Sequence, residues 1–233
     1  MFRRLIAGLS AAVPSQCAFC HSWPAQPVCG ACMARFARPL PRCRTCALPL
    51  AGGTELCGGC LRHPPPLDIC IAAVDYAYPW SDAIARLKFQ HQPGWAAPLA
   101  ALLHAAPGAQ AALAQADLLL PMPLAAPRLR ERGYNQAQLL ARQLAPGKVD
   151  SYLLLRPRAT PPQAGLARAQ RLRNVRGAFA VEPLRAHELR GKSIALVDDV
   201  MTSGASLCAA AHALRAAGAR SVAALVVART PEP

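Results

Sequence analysis

Residues 194–206, IALVDDVMTSGAS, constrain this chain more than any other stretch. Four apolar residues, Ile194 to Val197, have the makings of a buried strand and run into two adjacent carboxylates, Asp198 and Asp199. Thr202, Ser203, Gly204, Ala205 and Ser206 follow as a loop of small and hydroxyl residues around a glycine, and an alanine-rich helical pattern takes over at once. Such a loop presents backbone N–H groups, hydroxyls and a helix N-terminus to one point, an arrangement that suits a phosphate. The acidic pair beside it suits a ribose diol or a magnesium ion. The plain alternative is a buried strand with a capped helix. Capping needs one Ser, Thr or Asp, whereas five such residues stand here.

Strand character recurs at 69–76, 117–123, 150–155, 192–198 and 221–228. Helical patterns alternate with it at 81–89, where Ser81 is the expected N-cap, and at 95–105, 135–144 and 206–217. This alternation predicts an α/β fold, a parallel sheet with helices on both faces. Ligands in such sheets sit at the carboxyl ends of strands, where the 202–206 loop stands. With 233 residues, 53% of them hydrophobic, the chain has room for one ordinary domain and a small module. Its formal net charge of +14 favours an anionic partner, whether phosphate, pyrophosphate or nucleic acid.

Eight of the ten cysteines form C-x-x-C pairs: Cys17/Cys20, Cys29/Cys32, Cys43/Cys46 and Cys57/Cys60. Two intervening residues let both sulfurs of a tight turn face one ion, and two such knuckles complete a four-thiolate shell. The spacing fits two short zinc ribbons in tandem, with the first two knuckles on one ion and the last two on the other; an interleaved cross-brace is the alternative pairing. Disulfides would require an oxidising compartment, and an iron–sulfur cluster is a further alternative. A closed four-thiolate site leaves no open position, so it predicts stability rather than catalysis, with metal binding supplying folding energy to a segment poor in core. Cys70 and Cys208 stand apart and read as small buried side chains.

Ahead of the array, two arginines precede a short apolar run without an A-x-A-like site. This predicts a short helix over 1–16 rather than a signal peptide. No uninterrupted run of about eighteen apolar residues occurs, and the expected location is the cytoplasm. Arg62 to Pro66, RHPPP, reads as a stiff linker.

Two basic segments remain. In RERGYNQAQ, Arg132, Gly133, Tyr134, Asn135 and Gln136 lead into a helix and would form an anion site; a solvated basic loop with an Asn cap is the alternative. Arg156 to Phe179, RPRATPPQAGLARAQRLRNVRGAF, lacks clean periodicity and reads as a functional excursion or an unstructured insertion.

The 194–206 segment resembles the phosphoribosyl pyrophosphate (PRPP) signature of type I phosphoribosyltransferases. The order of parts, from the cysteine pairs through RERGYNQAQLLA and TPPQ to ALVDDVMTSGAS, resembles the ComF family from about Cys17 to Ala228. That resemblance implies a double zinc ribbon over 17–61, a linker over 62–68 and a phosphoribosyltransferase-like domain over 69–233. It implies two structural Zn2+ ions on the eight paired cysteines and Mg2+ with PRPP or a ribose-5-phosphate-like ligand. Asp198 and Asp199 would hold the ribose hydroxyls directly or through Mg2+, Thr202 to Ser206 the 5′-phosphate, and Arg132 the leaving pyrophosphate. Lys88, Gly133, Tyr134, Asn135 and Gln136 match positions at the pyrophosphate side, and Thr160, Gln163, Arg171 and Asn174 match a flexible-loop motif. The family is associated with natural competence and DNA uptake. Three activities follow from the likeness: phosphoribosyl transfer to an unidentified acceptor, single-stranded DNA binding alongside competence helicase or translocase machinery, and PRPP sensing. Nothing in the residues names an acceptor.

Overall fold

A computed structural model of the chain describes residues 16–23, 26–157 and 177–231. The expected helix over 1–16 falls almost wholly outside the described residues, as do Thr160, Gln163, Arg171 and Asn174. The chain forms two compact units, residues 1–38 and 39–233. No helix among the described residues is long and apolar enough to cross a membrane.

In the smaller unit the described residues carry the first two cysteine knuckles. Helix α1 (Gly30–Phe36) begins after Cys29, whose sulfur accepts the Cys32 N–H and so caps the helix. Phe19 and Phe36 meet edge to face, with ring centroids 6.3 Å apart. Little apolar surface is gathered here beyond that pair.

The larger unit repeats the same local design. Helix α2 (Gly58–Arg62) starts after Cys57, whose sulfur accepts the Cys60 N–H. The two first knuckles match in backbone as well. His21 and Ala47, each four residues after the leading cysteine, have positive φ of 58° and 55°. In both, the N–H of that residue returns to the leading carbonyl, at 2.9 Å for His21 to Cys17 and 2.8 Å for Ala47 to Cys43.

The sheet of the larger unit contains β1 (Ile69–Asp75), β2 (Leu118–Pro121), β5 (Ser193–Met201) and β6 (Ser221–Arg229). Its order is β1-β6-β5-β2, and every pairing is parallel. The central strands are apolar almost throughout because both faces are covered. Helices α3 (Trp80–Phe89), α4 (Ala96–His104) and α5 (Ala109–Gln115) precede β2, and α6 (Ala126–Arg132) and α7 (Gln136–Leu144) follow it. The β5 strand passes through α8 (Ala205–Ala216) into β6. Even-numbered strand residues, Cys70, Ala72, Ile194, Leu196, Val222, Ala224 and Val226, share one core with Leu207, Ala210, Ala211 and Leu214 of α8. Alternation sends their odd-numbered neighbours to the opposite face. Cys43, Cys46 and Cys60 belong to the α8-side core, so the second cysteine cluster is continuous with the domain rather than strung before it.

Several elements depart from the sequence-based expectation. The basic stretch before Gly133 is the helix α6, with Pro127 near its start, where a missing N–H costs nothing. Helix α5, an alanine-rich turn after Gly108, has too little amphipathic contrast to register as a pattern. Pro79, not Ser81, precedes α3, and no side chain caps it. The strand expected over 150–155 shrinks to β3 (Leu154–Leu155), because Asp150 Oδ1 accepts the Tyr152 and Leu153 N–H groups and turns the chain. It pairs antiparallel with β4 (Ala180–Val181). Strand β5 runs past both acids to Met201, so the pair lies within the strand.

Candidate ribose-phosphate site and metal centres

The carboxyl ends of the four parallel strands collect the candidate site. Asp198 and Asp199 are consecutive near the end of β5, and their carboxyls lie close enough to act on each other and on Lys88. Asp199 is 2% exposed. Its Oδ1 meets Lys88 Nζ at 2.9 Å and accepts the Val200 N–H at 2.7 Å. Its Oδ2 is buried with no hydrogen-bond partner among the described residues. Asp198 Oδ1 accepts the Asp199 N–H at 2.9 Å. Burial first, then the neighbouring Asp199 charge, push the Asp198 carboxyl up to about 8. Burial works against the charge on Lys88, but Asp199 and then Asp198 hold its ammonium above the ordinary lysine range.

Lys88 reaches this position because it lies in the last turn of α3, whose Leu87 carbonyl accepts the Tyr134 hydroxyl at 2.5 Å. Arg132 ends α6, buried, with Nη1 donating to Gln136 Oε1 at 2.5 Å and its guanidinium 5.5 Å from the centre of the Phe89 ring. Gly133 takes φ of 76° and lets the chain reverse between α6 and α7. Asn135 is the N-cap of α7, accepting from Ala137 N and Gln138 N, while its Nδ2 donates to Met122 O at 3.0 Å, just beyond β2. Asn135 and Gln136 thus orient the segment, with Gln136 gripping Arg132. Arg156 lies 5.3 Å from the centre of the Phe179 ring; burial holds its guanidinium below the ordinary arginine range, with Asp198 opposing that shift. The sequence marks Arg156 and Phe179 only as the ends of a basic segment; that Phe179 stacks on Arg156, and Phe89 on Arg132, is decided by the fold.

The loop after β5 is shaped by Gly204, which precedes α8 with φ of 75°. A Cβ there would stand 2.4 Å from Met201 Cε. Ser203 Oγ accepts the Ala205 N–H at 3.4 Å, and Thr202 is exposed. The loop therefore opens onto the helix N-terminus at the sheet's carboxyl end.

The cysteine pairs assemble sequentially. Cys17, Cys20, Cys29 and Cys32 form one cluster and Cys43, Cys46, Cys57 and Cys60 another, with all ligand atoms in each within 4.8 Å of one another. A tetrahedral zinc shell with Zn–S of about 2.3 Å has sulfur–sulfur edges of about 3.8 Å. Cys20 Sγ and Cys29 Sγ are 3.6 Å apart, as are Cys46 Sγ and Cys57 Sγ. The donor sets fit closed structural zinc sites. Burial opposes the charge on Cys17 and Cys43, but N–H groups, those of Cys29 and Cys57 foremost, draw both thiols down to about 6. Burial pushes the thiols of Cys32, Cys46 and Cys60 the other way, that of Cys32 up to about 12, so each cluster holds one readily ionised thiolate and others that need a cation to draw them down.

Residues 130–233 match the family model of the phosphoribosyl transferase domain. The fold and the strand–loop–helix site thus define a phosphoribosyltransferase-type domain joined to two four-cysteine centres. The chain is 32% identical over 211 residues to the DNA utilization protein YhgH of Escherichia coli (strain K12), covering 87% of this chain and 90% of that protein. It is 32% identical over 209 residues to the protein of the same name from Salmonella typhimurium, with the same coverage. Competence protein F of Haemophilus influenzae is 32% identical over 203 residues, 84% of this chain and 87% of the relative. The chain belongs to the ComF family that these proteins represent.

Proposed function

We propose that this chain binds PRPP, or a related ribose phosphate, together with Mg2+, and transfers its phosphoribosyl group to an acceptor. The observation that carries this reading is the half-satisfied acidic pair. Asp199 keeps one buried oxygen without a partner, and Asp198 resists ionisation beside it. A hydroxyl pair or a cation satisfies both, which a purely structural pair would not need. Mg2+, when bound, would neutralise carboxylate and pyrophosphate charge together.

The chain's own residues then have distinct tasks. Asp198 and Asp199 hold the ribose hydroxyls, and Lys88 holds Asp199 in place through their ion pair. The N–H groups and hydroxyls of Thr202 to Ser206 cradle the 5′-phosphate. Arg132, clamped by Gln136, faces the departing pyrophosphate. The C1′–oxygen bond breaks with its electron pair leaving on pyrophosphate, and the acceptor's lone pair forms the new bond at C1′ while its proton passes to solvent. Positioning and fixed charge supply the catalysis. Given the names of the relatives, we place this activity in the handling of DNA during competence, in the cytoplasm.

Calorimetry with PRPP and Mg2+ tests the reading. The wild type should bind, Asp199→Asn should weaken binding at least about tenfold by removing a charged partner, and pyrophosphate release should follow with a competent acceptor. Absence of binding at millimolar PRPP with Mg2+ sinks it. Binding without pyrophosphate release across acceptors leaves a PRPP sensor. Single-stranded DNA binding with a steep salt slope and no PRPP affinity would instead favour the nucleic-acid reading.

A further inference from the structure

Arg229 ends β6 and is 3% exposed. Its Nε donates to the Cys46 carbonyl at 2.8 Å, while Nη1 donates to the carbonyls of Thr202 and Thr230 and reaches that of Met201 at 3.3 Å. Cys46 belongs to the second cysteine cluster. Met201 ends β5, and Thr202 opens the loop into α8. One side chain therefore grips a metal-ligand residue and the root of the candidate phosphate loop.

Two further links run in parallel. Cys70 Sγ donates to Met201 Sδ at 3.4 Å, and Met201 in turn packs where a side chain on Gly204 would stand. Arg42 Nη1 donates to the Ala47 carbonyl at 3.1 Å and to Asp75 Oδ1 at 2.7 Å, at the carboxyl end of β1. Tyr76 N–H, just beyond, donates to the Arg229 carbonyl at 2.8 Å. An ordinary core arginine would be paired with a carboxylate. Every acceptor Arg229 meets among the described residues is a carbonyl; Asp75, opposite it in the β1–β6 register, bonds to Arg42 instead, and a buried cation without a bonded counter-charge is costly. Four thiolates around one divalent ion carry a net formal charge of about −2, which supplies that counter-charge from the cluster Arg229 touches.

We propose that Arg229 is a positioning residue that locks the 202–206 loop to the second four-cysteine centre, so that this centre sets the geometry of the phosphate site. The mechanical link stands on the contacts alone; its effect on ligand rests on the ribose-phosphate reading above. The two parts are separated by measuring amide hydrogen exchange and ligand binding on the zinc-loaded full chain. Arg229→Gln and Cys60→Ser should each speed exchange of the 202–206 amides about tenfold relative to the 194–197 amides of β5, and Arg229→Lys should fall between. Asp150→Asn, which weakens the domain elsewhere, should leave that ratio unchanged. The Arg229→Gln/Cys60→Ser pair should be no faster than the stronger single change, since both cut one link. Affinity for ribose 5-phosphate with Mg2+ should fall about tenfold in Arg229→Gln with its zinc content intact. Loop exchange that tracks β5 in Arg229→Gln and Arg229→Lys, or effects that add, overturns the proposal even where Cys60→Ser fails to fold. Unchanged affinity in Arg229→Gln, beside a binding wild type, overturns the positioning role. A wild type that binds no sugar phosphate but keeps the exchange pattern removes the ligand reading and leaves the link standing.

Discussion

At the residue scale, the candidate site is organised around Lys88 and the acidic pair. Lys88 is the cation paired with the almost fully buried Asp199. Its replacement by methionine should cost about 3 kcal/mol in urea unfolding at neutral pH, because it strands a buried charge. Lys88→Met/Asp199→Asn should recover much of that loss, and added Mg2+ should protect Lys88→Met more than the wild type. Gly204 carries a second residue-scale prediction. Alanine there meets both φ of 75° and Met201 Cε. Gly204→Ala should lose about 1–2 kcal/mol of stability and weaken ribose-phosphate binding, as read by thermal unfolding and calorimetry.

At the scale of elements, a few side chains connect short pieces that propensity alone would not hold. Asn135 caps α7 and ties it to Met122, so Asn135→Ala should cost about 1 kcal/mol and loosen Arg132 through Gln136. Asp150 joins the β3 turn to the 3-10 turn Pro183–Leu189, with Arg185 Nη2 at 2.5 Å from its Oδ2. Burial alone would raise the Asp150 carboxyl, but Arg185 and the Tyr152 and Leu153 N–H groups hold it below the usual carboxylate range. A lowered folded pKa gives stability that is present above the unfolded value of about 3.9 and lost as pH falls through the folded one. Asp150→Asn should therefore melt below the wild type at pH 7, with the gap closing in strong acid.

At the scale of the whole molecule, the two cysteine centres have unequal surroundings. The first lies in a unit whose described residues bury little apolar surface, whereas the second shares a core with β1, β5, β6 and α8. Chelation should abolish ordered structure over 16–38 while the larger unit keeps its sheet at a lower melting temperature. Circular dichroism and residue-level exchange during zinc removal check this, and a concerted loss of both units would contradict it.

The sequence alone determined the parts whose physics is local. Two residues between cysteines confine both sulfurs to one turn, and an apolar run followed by acids and a glycine-centred hydroxyl loop has few other ways to fold. The four knuckles and the β5–loop–α8 unit were therefore legible from spacing, whereas the cap at Asn135 stood only as the alternative to an anion site. Tertiary structure decided what depends on contacts distant in the chain. Lys88 meets Asp199 only because α3 ends over β5, and the apolar strand SVAALVVAR did not reveal why it closes on a buried arginine. Besides the adjacent Thr230, the partners of Arg229 are carbonyls 183, 28 and 27 positions away. Backbone carbonyls are present at every residue, so no pattern of side chains marks which of them a buried cation will find.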